Sequence, residues 1–404
     1  VPLITGLLAA ISTLLTLRLA VLLIAAAVHV ARWRPPVPRD LPPLAVLVPA
    51  YEEERVLEGT VRSLLASDHP DFEVVVIDDG SKDGTAEVAR RLAAHPRVKA
   101  VILPINGGKS AALNAGVAAT DRAHLVTVDA DTVLLPGTLR RLGERLAEPG
   151  VDAVAANVKV GNRTRWLTRW QSLEYIVGLN LHRRALATLG CITTIPGAAC
   201  AVRREAVLSA GGWSGDTVVE DTDLTLSLLA AGRRIVFEPS AVALTEAPDT
   251  LQGLFRQRTR WARGYLQCLW KHRGGFFRGG TPGWFGLPDL LLVNVLFYLL
   301  VPLSAPGVWA LLTPAGPLAF AAALTSFVGL DLVLAAGAVL VDREDPRDLA
   351  QVPLRRLLWP WFLVAVFVTA VARTLRRSAV WGQPARIGQL ADAARRGVTT
   401  VLRR

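Results

Sequence analysis

Methionine is missing from the chain altogether, and cysteine is scarce: Cys191, Cys200 and Cys268 are odd in number and form no Cys-x-x-Cys pair. Such a set excludes a disulfide framework or a thiolate zinc site and suits a reducing compartment. The lack of methionine raises the expectation that the natural first residue is absent or the sequence altered. Acidic residues are outnumbered, 34 against 45 Lys and Arg, for a formal net charge of +11. No basic stripe interleaved with aromatics accompanies the excess, so no nucleic-acid partner is expected. A membrane surface or phosphate-bearing ligands fit it better.

Apolar residues are abundant, 51% of 404, and they concentrate at the two ends. Residues 3–31 carry one strong charge, Arg18, and are long enough to cross a bilayer. Arg32, Arg34 and Arg39 follow, so the positive-inside rule places the next part in the cytoplasm. Between Asp289 and Asp342 the only charged residue is Asp331. A break at Thr313-Pro314-Ala315-Gly316 divides this stretch into spans of about 289–312 and 317–341. Pro302 and Pro306 should kink the first, and Asp331, costly in lipid, should face a partner or a pore. A further apolar run, 357–372, is short, and residues 373–404 hold eight Arg and one acid, Asp392. That basic tail belongs on the cytoplasmic side, which favours 357–372 as an interfacial or re-entrant segment over a further span. The expected organisation is a transmembrane helix (1–31), a cytoplasmic domain with interfacial helices at its end (32–286), a membrane bundle (287–375) and a basic tail (376–404). The expected location is a bacterial inner membrane, crossed several times.

The middle alternates short β-branched runs with amphipathic stretches. Leu44–Val48, Val74–Asp78, Val98–Leu103, Leu125–Asp129 and Ala153–Val160 read as strands, with helices over 53–66, 84–94, 108–119 and 137–147. This alternation predicts an α/β fold, a mostly parallel sheet with helices on both faces, binding its ligand beyond the carboxyl ends of the strands. The polar clusters fall there: Pro49-Ala50-Tyr51-Glu52-Glu53, Asp78-Asp79-Gly80-Ser81, Asn106-Gly107-Gly108-Lys109 and Asp129-Ala130-Asp131 end successive strands.

These residue types suit a sugar linked to a nucleoside diphosphate. A diphosphate leaving group needs its charge neutralised, and Mg²⁺ or Mn²⁺ on one or two carboxylates does so while keeping several waters. Asp129 and Asp131 are spaced to point past the strand end, one toward nucleotide and one toward metal. Asp79 can accept from a uracil N–H and Tyr51 can pack on the base, with Glu53 in the same donor-facing loop. Lys109 follows two glycines at a helix start, where backbone N–H groups and an ammonium can approach phosphate.

On these motifs the chain resembles the processive inverting glycosyltransferases of family two, the cellulose, chitin, hyaluronan and poly-N-acetylglucosamine synthases. Two more elements carry the resemblance. Glu220-Asp221, within Val218-Val219-Glu220-Asp221-Thr222-Asp223, matches the family's Thr-Glu-Asp element with Val219 in place of Thr, and Gln257-Arg258-Thr259-Arg260-Trp261 matches its Gln-x-x-Arg-Trp signature. Glu52, where relatives often carry Asn, is a second departure. The resemblance covers about Leu44 to Lys271. It implies a glycosyltransferase-A (Rossmann-like) domain between membrane helices, with Asp221 as general base and Glu220 shaping the acceptor site. It also implies Arg260 on the donor diphosphate, and Gln257, Arg258 and Trp261 on the acceptor. Asn157–Asn162, Gln171–Tyr175, Gly190–Val202 and Trp261-Ala262-Arg263-Gly264 resemble the bacterial poly-β-1,6-N-acetylglucosamine synthases most. The implied partners are a UDP-sugar donor, most suitably UDP-N-acetylglucosamine, a growing polysaccharide acceptor and the lipid bilayer, with room for a small membrane partner subunit. A polymerase with another donor, a single-addition lipid glycosyltransferase and a non-catalytic export scaffold are the competing expectations.

Overall fold

The computed structural model describes residues 2–36, 40–302, 316–376 and 390. Val1, Arg39, Pro306, the Thr313–Ala315 part of the expected break, Asp392 and Arg404 lie outside these. The first helix, α1, runs Pro2–Arg32, and then the sheet domain begins: β1 Leu44–Ala50, α2 Leu57–Leu65, β2 Phe72–Asp78, α3 Thr85–Leu92, β3 Val98–Ile102, α4 Lys109–Ala118 and β4 His124–Val128. These elements match the expected alternation to within a few residues. β1, β2 and β3 pair in parallel, and β4 joins the other side of β1 in parallel. Alternate residues of β1 serve opposite faces, as a two-sided core requires. Ala45 and Leu47 pack with Leu113 of α4, while Leu44, Val46 and Val48 pack with Leu57, Val61 and Leu64 of α2.

The second half of the sheet is mixed. After β5 Thr132–Leu134 and α5 Thr138–Leu146 come β6 Ala153–Val160, α6 Trp166–Glu174 and a π-helical turn Tyr175–Leu181, which runs on into α7 His182–Thr188. Then follow β7 Ala199–Arg203, α8 Arg204–Ser209, α9 Glu220–Ala230, β8 Ile235–Thr245 and α10 Leu251–Lys271. The strand order is β3-β2-β1-β4-β7-β6-β8-β5. β7 is antiparallel to both β4 and β6, and β5 is antiparallel to β8, so the sheet departs from all-parallel beyond β4. All three cysteines are buried free thiols.

The end of α1 docks on this domain. Leu22, Ala25 and Ala26 join its core, Thr188 Oγ1 donates to the Ala25 carbonyl at 2.9 Å, and Trp33 Nε1 donates to Glu238 at 3.4 Å. Arg18, the lone strong charge of the first apolar run, pairs with Asp289 at 2.5 Å, and His182 meets the other Asp289 oxygen at 2.8 Å. A continuous helical stretch runs Pro282–Pro302, with α11 Leu287–Leu291 inside it, and α12 covers Gly316–Asp342. The apolar run 357–372 lies within a 24-residue helix, α13, Val352–Leu375, with Pro360 inside it. Among the described residues, Thr13–Arg32, Pro282–Pro302 and Pro346–Leu375 are long and apolar enough to cross a membrane. Asp331 faces Arg356 of α13 at 3.9 Å. The α12–α13 connection is tied to the sheet domain by Asp342–Arg184 (2.6 Å), Glu344–Lys159 (2.7 Å), Glu344–Arg163 and Asp348–Arg169 (2.9 Å).

Candidate active site

The carboxyl ends of β1, β2 and β4 open onto one edge, where the expected loops meet. At the β1 end Tyr51 is half-buried, and Glu52 takes φ +57°, a left-handed conformation in which Asn is far commoner than Glu. Glu53 is buried: its N–H donates to Thr85 Oγ1 at 2.9 Å and its carbonyl accepts from Val56 and Leu57, so it shapes the loop into α2. At the β2 end, Asp79 accepts from the N–H groups of Gly107 (2.9 Å) and Gly108 (2.8 Å), one on each oxygen. The glycine N–H groups expected to approach phosphate are therefore spent on Asp79. Each Asp79 oxygen keeps a lone pair, and its carboxyl lies above the usual range because burial outweighs those two bonds.

Lys109, the first residue of α4, also points elsewhere than expected. Its ammonium sits 2.6 Å from Asp129 Oδ1 and 2.9 Å from Glu220 Oε1. Burial alone would lower its pKa, but Asp129, Glu220 and Asp221 together raise it, so the cation is firmly held. Asp129 follows β4 directly, with its N–H on the Ala198 carbonyl (3.2 Å) and its own carbonyl accepting from Thr132 (2.9 Å), which folds Asp129-Ala130-Asp131 into a tight turn. Burial raises its pKa against the pull of Lys109, and Asp131 and Glu220 add to the rise. Asp131 is buried at 3% exposure beside Thr132.

The first turn of α9 holds Glu220, Asp221 and Asp223, where the helix dipole favours negative charge. Asp221 Oδ2 accepts from Gly197 N–H at 3.0 Å and Oδ1 from Thr222 N–H at 2.7 Å. A Cβ at position 197 would lie 3.0 Å from both Asp221 Oδ2 and Lys109 Nζ, so a larger residue there has to push these groups aside by a few tenths of an ångström. Burial first, and the Glu220 charge second, push Asp221 up to about 6. Glu220 goes the other way, because Lys109 and Arg260 outweigh its burial. Two neighbouring carboxylates with opposite shifts are the pattern of a divided acid–base pair.

Helix α10 closes this side. Arg260 Nη1 donates to the Val218 carbonyl at 3.3 Å, and Gln267 accepts from Val218 N–H at 3.0 Å, so α10 grips the segment leading into Asp221. Trp261 is half-buried and packs against both faces of the core. Gln257 and Arg258 are buried. Arg258 donates to Gln257 Oε1 (2.9 Å) and Glu174 Oε2 (2.6 Å), so its guanidinium is engaged within the protein rather than offered outward. The structure thus gathers Lys109, Asp129 and Glu220 by direct contact, with Asp221 next to Glu220 in the first turn of α9 and Arg260 on the flanking Val218. Tyr51 and Glu53 stand apart on the β1 loop.

Two contributors escaped the sequence reading: the Gly197 N–H on Asp221 and Glu174 as the partner of Arg258. Gly197 follows Pro196 in a turn and could have been suspected; nothing in the spacing links Glu174 to Arg258.

The residues fit a divalent cation. Among the described residues no cluster of three or more His, Cys, Asp or Glu forms a closed cage. Asp129 and Asp131 are two hard oxygen donors, and Asp129 is 31% exposed at the open edge. Two carboxylates plus donor phosphates and water are what Mg²⁺ or Mn²⁺ takes in such sites.

A family model described as "Glycosyltransferase like family 2" matches residues 42–264. The poly-beta-1,6-N-acetyl-D-glucosamine synthase of Staphylococcus epidermidis is 31% identical over 227 residues, 56% of this chain and 55% of that protein. That of Staphylococcus aureus (strain COL) is 31% identical over 231 residues, 57% of this chain and 56% of the relative. The chain thus spans about half the length of the curated relatives it matches. Among solved structures, a mannosyltransferase from Pyrobaculum calidifontis in complex with GDP-Man and Mn2+ aligns with TM-score 0.60 and 25% identity, over 89% of this chain and 99% of that one.

Proposed function

From a chain that belongs to glycosyltransferase family 2, with a glycosyltransferase-A-like sheet flanked by apolar helices, we propose a membrane-bound inverting polymerase. It takes a UDP-sugar, UDP-N-acetylglucosamine by its relatives, builds a β-linked exopolysaccharide and couples synthesis to export. The observation that carries this reading is Lys109 joining Asp129 to Glu220 beside Asp221, which puts the donor-side and base-side carboxylates within one side-chain's reach. Asp221, raised to about 6, is poised to take the proton of an acceptor hydroxyl as that oxygen attacks the anomeric carbon. Direct attack needs no nucleophilic carboxylate, so the configuration inverts. Gly197 and Thr222 fix the base, Arg260 offers a planar fork to the leaving diphosphate and Trp261 a stacking face to the terminal sugar. A Mg²⁺ or Mn²⁺ held by Asp129 and Asp131 would supply charge neutralisation at the leaving group. Mn²⁺ in the mannosyltransferase complex supports that assignment.

One observation favours a second reading, transfer of a sugar from another nucleotide-sugar donor such as GDP-mannose. The mannosyltransferase is matched over 99% of its length and the polysaccharide synthases over about half. Incubating purified membranes with each nucleotide-sugar separates the two. Long polymer from UDP-N-acetylglucosamine supports the first reading. Single-sugar adducts alone, or turnover only with another donor, would overturn it.

A further inference from the structure

Lys109 bridges two carboxylates that reach the site from different parts of the fold. Its Cα is fixed by the preceding glycines, whose N–H groups are tied to Asp79. From there the side chain, 18% exposed, bridges Asp129 just after β4 and Glu220 on α9. It cannot withdraw inward. Beneath it the cavity holds only about 10 Å³, room for about one water and too little for the ammonium and its stem; Leu113, Ile195, Trp213 and Leu224 line it beside Glu220 and Asp221. The open side is the exposed edge of Asp129.

We propose that Lys109 is an exchangeable internal counter-ion: it holds Asp129 and Glu220 while the site is empty, and it moves onto the donor phosphate when a divalent cation takes Asp129. The inference rests on the donor-site reading above and adds an order of events to it. An ammonium 2.6 Å from Asp129 Oδ1 crowds the approach a divalent cation needs to that carboxylate, whose oxygens such a cation binds at about 2.0–2.1 Å. The two like charges exclude each other there. Diphosphate is what makes the exchange favourable, because it gives the displaced ammonium a new anion. The divalent ion alone has to expel Lys109 with no such compensation, so metal and nucleotide bind as a cooperative pair.

A fixed structural lysine and an exchanging one differ in the sign of their effects. Mn²⁺ binding without nucleotide, read by electron paramagnetic resonance, should be weak in the intact enzyme and about tenfold or more tighter in Lys109→Gln. UDP binding at saturating Mn²⁺ should weaken by about tenfold in the same variant. Mn²⁺ affinity that is unchanged or reduced in Lys109→Gln overturns the exchange. A second measurement needs no variant: acetylation of Lys109 in the intact enzyme, followed by mass spectrometry. Lys109 should be protected in the empty state, more reactive with Mn²⁺ alone and protected again with Mn²⁺ and UDP. Reactivity that ignores Mn²⁺ overturns the proposal. Wild-type enzyme that binds no UDP with Mn²⁺ present would instead sink the donor-site reading on which it rests.

Discussion

Arg258 Cζ lies 4.0 Å from the centroid of the Trp261 ring, one helical turn away on α10. The same guanidinium bonds Glu174 of α6 and stands 6.0 Å from the Trp359 ring of α13, which in turn stacks on Phe362. The tryptophan proposed to hold the acceptor is thereby backed by a cation that reports on two other helices. Within about 6 Å such a contact is worth about 0.5–2 kcal/mol, and the planar fork cannot be copied by an ammonium.

Arg258→Ala should therefore cost more than its share of packing, because it leaves the Glu174 carboxylate only 17% exposed and without this counter-ion. A loss of about 2–4 kcal/mol is expected, with a smaller one for Glu174→Gln and clear coupling between the two. Thermal unfolding of the single and double variants in detergent checks this. Additive effects would show that the pair carries no energy of its own.

The shift of Asp221 gives a pH signature. Its folded-state pKa, raised to about 6 from a normal value of 3.8, means the folded protein holds that proton more tightly than the unfolded chain. Ionising it therefore removes stability as pH climbs from about 4 to about 6, and the deficit persists above. Activity runs the opposite way, since a base must be ionised. The kcat/KM for donor should rise through an apparent pKa near 6 and level off above it. Asp221→Asn should bind UDP normally and lose on the order of 100-fold or more in transfer. Near wild-type transfer by Asp221→Asn would move the base elsewhere.

Much of this was legible in the sequence, for a physical reason. The first four strands are short runs rich in Val, Leu and Ile followed by acidic or glycine clusters, and a parallel sheet has to present those ends at one edge. The reading stopped where local pattern stops. β7, Ala199–Arg203, is rich in small residues, and β8 passes through Pro239 at a register shift against β6, so neither resembles a clean strand. Lys109 showed as a phosphate-facing residue because its neighbours are glycines. Its actual partners, Asp129 and Glu220, come from just after β4 and from α9, and no spacing rule connects them. Arg258 likewise fits a motif, yet its counter-ion Glu174 lies in another helix.

Val219, just before α9, packs against Gly264 of α10. A Cβ built on Gly264 would fall 2.5 Å from Val219 Cγ2. Alanine is normally favoured over glycine within a helix by about 1 kcal/mol. Here the neighbour is a stiff β-branched side chain just before α9, so the clash should win and cost about 1–3 kcal/mol. Gly264→Ala is expected to lower the melting temperature and slow transfer by displacing Arg260 from Val218. Adding Val219→Ala should recover much of both. A stable, fully active Gly264→Ala would mean that the α9–α10 contact yields freely.

The final prediction concerns the side on which the chain ends. α13 is long enough to cross a membrane, and if it crossed, the residues after it would lie opposite the sheet domain. Two contacts argue for the other arrangement. Phe362, Val366 and Ala370 of α13 pack along Phe255 and Ala262 of α10, so the helix runs beside the domain's own Gln257–Trp261 helix rather than away from it. Beyond it, Leu390 is buried against Val133 and Leu244, and its N–H donates to Glu246 Oε1 at 2.9 Å. Those partners belong to β5 and to the end of β8, next to Asp131. A tail residue cannot touch them from across a bilayer. Single cysteines at Lys82 and Arg404, introduced one at a time with the native thiols buried, should both resist a membrane-impermeant reagent in intact cells and both react after permeabilisation. Labelling at 404 alone in intact cells would place the tail outside and make α13 a true span.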